Sequence, residues 1–131
     1  MKQARPESWD WLLSGLENHD AVENFERDGK FIVRITKRSG RSLIALFCDE
    51  YLMGLEVLDE ALRIAPDLDA LVTSSVWNRY SREAKIEGIE RGVGVFRGLE
   101  FLGALWKDGA DFVAHLSRDQ RDAMRRGEDP Y

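Results

Sequence analysis

The sequence predicts an α/β domain, a mixed sheet flanked by helices, and three observations carry that expectation. The apolar period changes from helical to alternating near Ala21. Two turn dipeptides, Asp28-Gly29 and Ser39-Gly40, then divide the chain into three β-rich runs, and beyond Pro66 short apolar runs alternate with helical ones. A meander followed by strand–helix alternation calls for antiparallel pairing first and parallel pairing with right-handed crossovers afterwards.

Each element follows from its own residues. Pro6 suits the first turn of a helix, and Trp9, Leu12, Leu13 and Leu16 recur at i, i+3, i+4 and i+7, so the first helix runs to near Asn18. The strands are expected at Val22–Arg27, Lys30–Lys37 and Arg41–Cys48. In the second, Phe31, Val33 and Ile35 face one way and Arg34 and Thr36 the other; Leu43 to Cys48 is apolar throughout, as a central strand covered on both faces would be. Leu55, Leu58, Leu62 and Ala65 draw the inner stripe of a second helix, which Pro66 stops.

A buried strand at Ala70–Thr73, a helix from Ser81 to Arg91, a strand at Val93–Phe96 and a helix over Leu99–Trp106 with Leu102 and Leu105 inward complete the alternation. Ser117 and Gln120 form a capping box and Gly127 is a suitable stop, so a last helix with few core contacts is expected between them. The domain organisation is one α/β domain over 1–116 and a polar C-terminal helix and tail over 117–131.

A chain of 131 residues suits one core, and 44% hydrophobic with 33% charged residues is the composition of a packed protein. The formal net charge of −5 disfavours a general nucleic-acid coat, because phosphate binding draws on surplus Lys and Arg. A single cysteine, Cys48, forms no internal disulfide, and His19 and His115 lie far apart, so zinc-type ligand spacing is absent. A reducing cytoplasmic setting is expected. Met1 to Asp10 lacks an apolar leader core, and no run of about 18 apolar residues occurs, so neither secretion nor a membrane span is expected.

The order α-β-β-β-α-β-α-β resembles the restriction-endonuclease-like fold. The stretch from Ala70 to Leu105 resembles the closing unit of Mrr-type members: a strand ending in Thr73-Ser74-Ser75, a loop, a helix with Ala84 near its start, a strand after glycine, and a final helix. The resemblance implies nuclease chemistry, in which an E-x-K or D-x-K triplet on the third strand holds Mg²⁺ and assists the attacking water. Here that strand reads Ser42-Leu43-Ile44-Ala45-Leu46-Phe47-Cys48, with no carboxylate or lysine. Asp49 and Glu50 follow, but adjacent residues on an extended strand point to opposite faces. No catalytic residue and no cofactor are therefore expected. The alternative is a metal-dependent nuclease with a displaced site, using Mg²⁺ and Asp28, Asp49 or Glu50; Glu17, Glu23 and Glu26 lie in the same region, and structural roles account for them.

The main candidate site is the loop from Thr73 to Ser81, placed between a parallel strand and a helix where open α/β sheets bind ligands. Ser74, Ser75 and Asn78 offer hydrogen bonds there, Trp77 and Tyr80 offer flat apolar surface, and Arg79, Arg82 and Lys85 offer charge for an anion at the N–H groups that Ser81 caps. The competing account has Trp77 and Tyr80 merely roofing the core. Arg34, Lys37, Arg38 and Arg41 surround the Ser39-Gly40 hairpin as a small basic projection, either a nucleic-acid contact or a solvated edge guard. Trp11 projects off the apolar stripe of the first helix and is a candidate interface anchor. Neither histidine has a nucleophile partner, and Cys48 reads as a small buried hydrophobe.

The first expectation is thus a non-catalytic binding module, a subunit or interaction domain of a nucleic-acid-processing or defence assembly, with a protein partner or a second copy of itself. The other two are the displaced-site nuclease and a domain that binds a small anionic ligand or nucleotide through the 74–81 loop.

Overall fold

Proline at the first helical position starts α1 (Pro6–Glu17), which lays Trp9, Leu12 and Leu16 on the core. The computed structural model describes all 131 residues. After α1 the chain turns three times through a meander: β1 (Val22–Asp28), β2 (Ile32–Lys37) and β3 (Ser42–Cys48), paired antiparallel in order. Both hairpins close on a glycine in the left-handed region, Gly29 at φ +77° and Gly40 at φ +91°, as their dipeptides anticipated.

Beyond the meander come β4 (Leu52–Met53), α2 (Leu55–Ile64), β5 (Ala70–Thr73), β6 (Arg79–Tyr80), α3 (Arg82–Arg91) and β7 (Gly94–Arg97). The chain ends in α4 (Gly98–Ala104), α5 (Gly109–Val113) and α6 (Arg118–Arg125). β5 lies parallel to β3 and β7 parallel to β5, giving a five-stranded mixed sheet in the order β1-β2-β3-β5-β7. One face packs Val33, Ile35, Phe47, Val72 and Phe96 against α1, α4 and α5. The other packs Leu46, Cys48, Leu71 and Val95 against α2 and its neighbours. β3 is interior, as its unbroken apolar run required: Leu46, Phe47 and Cys48 are fully buried, while Leu43 and Ile44 nearer the hairpin are half-buried.

Some details depart from the sequence reading. β2 and β3 begin one or two residues late, because the turns take up Lys30, Phe31 and Arg41. α2 and its C-cap turn Leu58 and Ala65 inward with Leu62 half-buried, as the stripe required, add Ala61 to the core, and leave, of the stripe, only Leu55 exposed at the first turn. α4 starts and ends early, and its buried residues are Glu100, Phe101 and Ala104, with Leu105 just beyond; Leu102 is only half-buried. α5 was not anticipated; its Phe112 packs edge-on against Phe96 at 5.4 Å. The two-residue strands β4 and β6 pair as a separate parallel ladder too short to show a period. α6 forms from its Ser117–Gln120 capping box and buries no residue. No helix is long and apolar enough to cross a membrane.

A candidate binding cleft at the carboxyl ends of the parallel strands

Parallel register brings Cys48, Thr73 and Arg97, the last residues of β3, β5 and β7, to one edge of the sheet. The loop that leaves β5 is tied down from below. Ser74 N–H donates to the Cys48 carbonyl at 2.8 Å, and the Thr73 hydroxyl donates to the Glu50 carbonyl at 2.7 Å. Asn78, buried, donates from Nδ2 to Asp49 Oδ1 at 2.7 Å and to Thr73 Oγ1 at 3.1 Å; the Ser74 hydroxyl donates to the same carboxylate oxygen at 3.2 Å. Burial alone would push the Asp49 carboxyl up, but the donors Asn78 and Ser74, with the ammonium of Lys2, outweigh it and hold Asp49 below its ordinary value. At the far end, β6 hydrogen-bonds to β4, Arg79 N–H donating to the Tyr51 carbonyl and Ser81 N–H to that of Met53. Between these anchors Ser75 adopts φ +64°, the chain's one non-glycine residue in the left-handed region.

Beside this loop opens a cleft of about 800 Å³ between α1, the β5–β6 loop, the start of α4 and α6. Trp11 floors one side; a Cβ on Gly98 would lie 2.8 Å from its ring, so only glycine lets the first turn of α4 lie flat on the indole. Tyr80 stands at the back. Its hydroxyl donates to Glu100 Oε2 at 2.7 Å and accepts from Gln120 Nε2 at 2.6 Å, while Glu100 Oε1 accepts the Arg97 N–H at 2.9 Å. Burial, then the neighbouring Glu100 carboxylate, push the Tyr80 phenol well above its ordinary value, so it acts as a neutral hydrogen-bonding strut. Arg97 also donates to the Val76 carbonyl at 3.0 Å, locking the loop to the α4 side. Along its lining, Val76 and Leu99 are 71% and 72% exposed, and Trp77, next in the loop, is 79% exposed.

Of the expected site residues, the fold gathers Ser74, Ser75, Arg79 and Tyr80 at the cleft and uses Asn78 as a support beneath it, while Trp77 is 79% exposed and does not line it. Ser81 caps α3, accepting the Ala84 N–H at 3.1 Å, and Arg82 is turned to Asp129. Lys85 is a correction. It is fully buried, donating from Nζ to the Val95 carbonyl at 2.6 Å and lying 4.3 Å from the centre of the Phe96 ring, so it meets no ligand at the helix start. Burial pulls its ammonium down to about 8.

Lys37 is a second correction. It shares a strand face with Val33 and Ile35, so the period of two carries it inward, where Nζ meets Asp108 Oδ1 at 2.6 Å and the Lys107 carbonyl at 2.7 Å. The hairpin keeps Arg34, Arg38 and Arg41 on its exposed side, with Arg34 facing Asp28 at 3.3 Å. Asp28 therefore lies two strands from Asp49, Glu50 accepts the Lys2 N–H at 3.1 Å, and no three His, Cys, Asp or Glu side chains stand close enough to hold one ion. Cys48, its thiol pushed up to about 12 by burial, is inert packing.

Glu100, Gln120 and Trp11 also line the cleft, and of these the sequence marks only Trp11 as a surface candidate. The spacing Arg97-x-x-Glu100 at the start of α4 carried a capping signal for Glu100; nothing in the sequence tied Gln120 to Tyr80. No family model, curated protein or solved structure matches the chain.

Proposed function

We propose that this chain is a non-catalytic binding module on a restriction-endonuclease-like scaffold, a subunit or interaction domain of a nucleic-acid-processing or defence assembly, that engages a protein partner through the rim of the 74–81 cleft. The observation that carries the reading is a set of exposed apolar side chains: Trp11, Val76 and Leu99 line the cleft, and Trp77 follows Val76 in a loop whose base, Thr73, Ser74, Asn78 and Asp49, is hydrogen-bonded together. Exposed apolar groups scattered singly are ordinary; a cluster mounted beside a concavity is the composition of an interface centre, where aromatic anchors dominate. The sheet order β1-β2-β3-β5-β7, a meander continued by parallel strands, supports the scaffold. The bare third strand and the dispersed Asp28, Asp49 and Glu50 favour binding over metal-dependent cleavage.

Charge does not favour a small anion in this cleft, since Glu7, Glu100 and Asp119 line it together with Arg79 and Arg97. The test is crosslinking with mass spectrometry on tagged protein in its own cells, comparing wild type with Trp77→Asp, Leu99→Arg and the hairpin variant Arg38→Glu. Loss of one crosslinked partner in the first two variants alone is expected. Equal recovery in all three, with unchanged folding by circular dichroism, sinks the reading.

A further inference from the structure

A second concavity, of about 470 Å³, lies on the other side of Glu100 between α4 and α6. Lys107, Arg118 and Arg121 line it, and none of the three is ion-paired to a carboxylate of the chain, although most of the chain's carboxylate contacts elsewhere engage an arginine or lysine. The one carboxylate in its wall, Glu100, already has both oxygens taken by Tyr80 and Arg97. A cluster of surface cations alone would be a solvated face. Here it surrounds a buried polar group: His115 is only 8% exposed, lines the same concavity, and has an Nδ1 that is buried with no hydrogen-bond partner. With no acceptor at Nδ1, the imidazole proton belongs on Nε2, because an orphaned buried donor is the costlier choice. Nε2 lies beside Gly103, where a Cβ would come within 3.0 Å of it; glycine keeps that side of the ring open.

The electrostatics agree with the geometry. Burial first, then the charges of Lys107, Arg121 and Lys85, pull the imidazole down to about 4, so it stands neutral among cations that have nothing to neutralise them. At the lip, Trp106 is 64% exposed; its indole packs at 4.6 Å and a 39° tilt against His19, which is itself fixed by its Nε2–H donating to the Leu102 carbonyl at 2.7 Å.

We infer that this concavity binds a phosphate monoester carried on a flat ring, a ligand of the nucleoside monophosphate class, with Lys107, Arg118 and Arg121 on the phosphate, His115 donating from Nε2, and Trp106 beneath the ring. Arginine forks match phosphate oxygens, and a fixed indole gives a base its stacking surface without ordering cost. The cations converge on one pocket and do not extend as a track, and the chain as a whole carries −5, which fits one phosphate better than a polynucleotide backbone.

Calorimetric titration with adenosine monophosphate, adenosine, inorganic phosphate and a short oligodeoxythymidine tests the assignment, followed by NMR of the His115 imidazole. Adenosine monophosphate should bind, inorganic phosphate more weakly, and adenosine not at all. Arg118→Gln with Arg121→Gln, both exposed positions, should weaken binding by at least about tenfold, the size expected for a lost charge-assisted contact. Trp106→Ala should weaken adenosine monophosphate and leave inorganic phosphate unchanged. On binding, the His115 titration should move upward as the bound phosphate offsets Lys107 and Arg121. The inference is overturned by absence of heat with both phosphate compounds at millimolar concentration, by binding that survives the double arginine variant, or by preference for the oligonucleotide, which would make this face a nucleic-acid surface instead. Because Trp77, Val76 and the 74–81 loop take no part, failure here leaves the partner reading of that cleft standing.

Discussion

Lys37 and Lys85 are both withdrawn from water, and they are stabilised very differently. At the β2 end, the Lys37 ammonium meets a carboxylate and a carbonyl, and its hydrogen bond holds the Asp108 carboxyl below its ordinary value. Under β7, the Lys85 ammonium has one carbonyl and two aromatic faces, Tyr80 and Phe96, with Glu100 only a more distant influence. A charge taken out of water needs an opposite charge or several good acceptors, so the β2 region is electrostatically closed and the β7 region is left under tension. The sign of the pH effect follows. An unfolded lysine titrates near 10.4, and Lys85 in the fold titrates at about 8, so between those values the unfolded chain holds the extra proton. Stability from Lys85 is therefore level below pH 8 and rises with pH from there to about 10.

Removing the partner of Lys37 should turn the first region into the second. Asp108→Ala leaves a buried ammonium facing only the Lys107 carbonyl, and should cost about 3 kcal/mol in urea unfolding at neutral pH. A loss below about 1 kcal/mol would mean that Lys37 reaches water unaided, and the contrast would fail.

The converse change, Lys85→Met, keeps the volume and removes the uncompensated charge. A gain of about 1–3 kcal/mol at pH 7 is expected, and the rise between pH 8 and 10 should vanish. Destabilisation with the slope intact would show that the alkaline titration belongs to another group.

Tyr80→Phe deletes the hydroxyl that links Glu100 to Gln120 beside Lys85, and should cost about 1–2 kcal/mol while detaching α6, read as faster amide exchange from Arg118 to Arg125. Unchanged exchange would show that α6 is held elsewhere. The smallest effects belong to the cations that remained in water. Arg38→Gln and Arg41→Gln at the hairpin should each change stability by less than about 0.5 kcal/mol by the same assay.

The layout was legible because it rests on period and punctuation. Gly29, Gly40 and Pro66 marked the breaks, Leu43 to Cys48 marked the central strand, and Ser117 with Gln120 marked α6. The site was legible only along the chain. The position of the 74–81 loop after a parallel strand could be read locally, whereas the Tyr80–Glu100–Gln120 link spans elements with no sequence relation. The two lysines failed for different reasons. Lys37 lies on the inward face that Val33 and Ile35 define, so register outweighs charge there. Lys85 sits one turn into α3, where a surface role looked natural until β7 was packed against that face. Lys107, His115, Arg118 and Arg121 converge because α4 and α6 meet after α5, an element too short for any periodic signal.

The suspension of the 74–78 segment between β5 and the β4–β6 ladder has a kinetic consequence. Its backbone is ordered when the sheet forms, so a visitor to Trp77 meets a surface already in shape and needs no disorder-to-order step. Encounter should then be limited by orientation, with single-exponential association at about 10⁵–10⁷ M⁻¹s⁻¹, and changes of partner strength should appear in the lifetime of the complex.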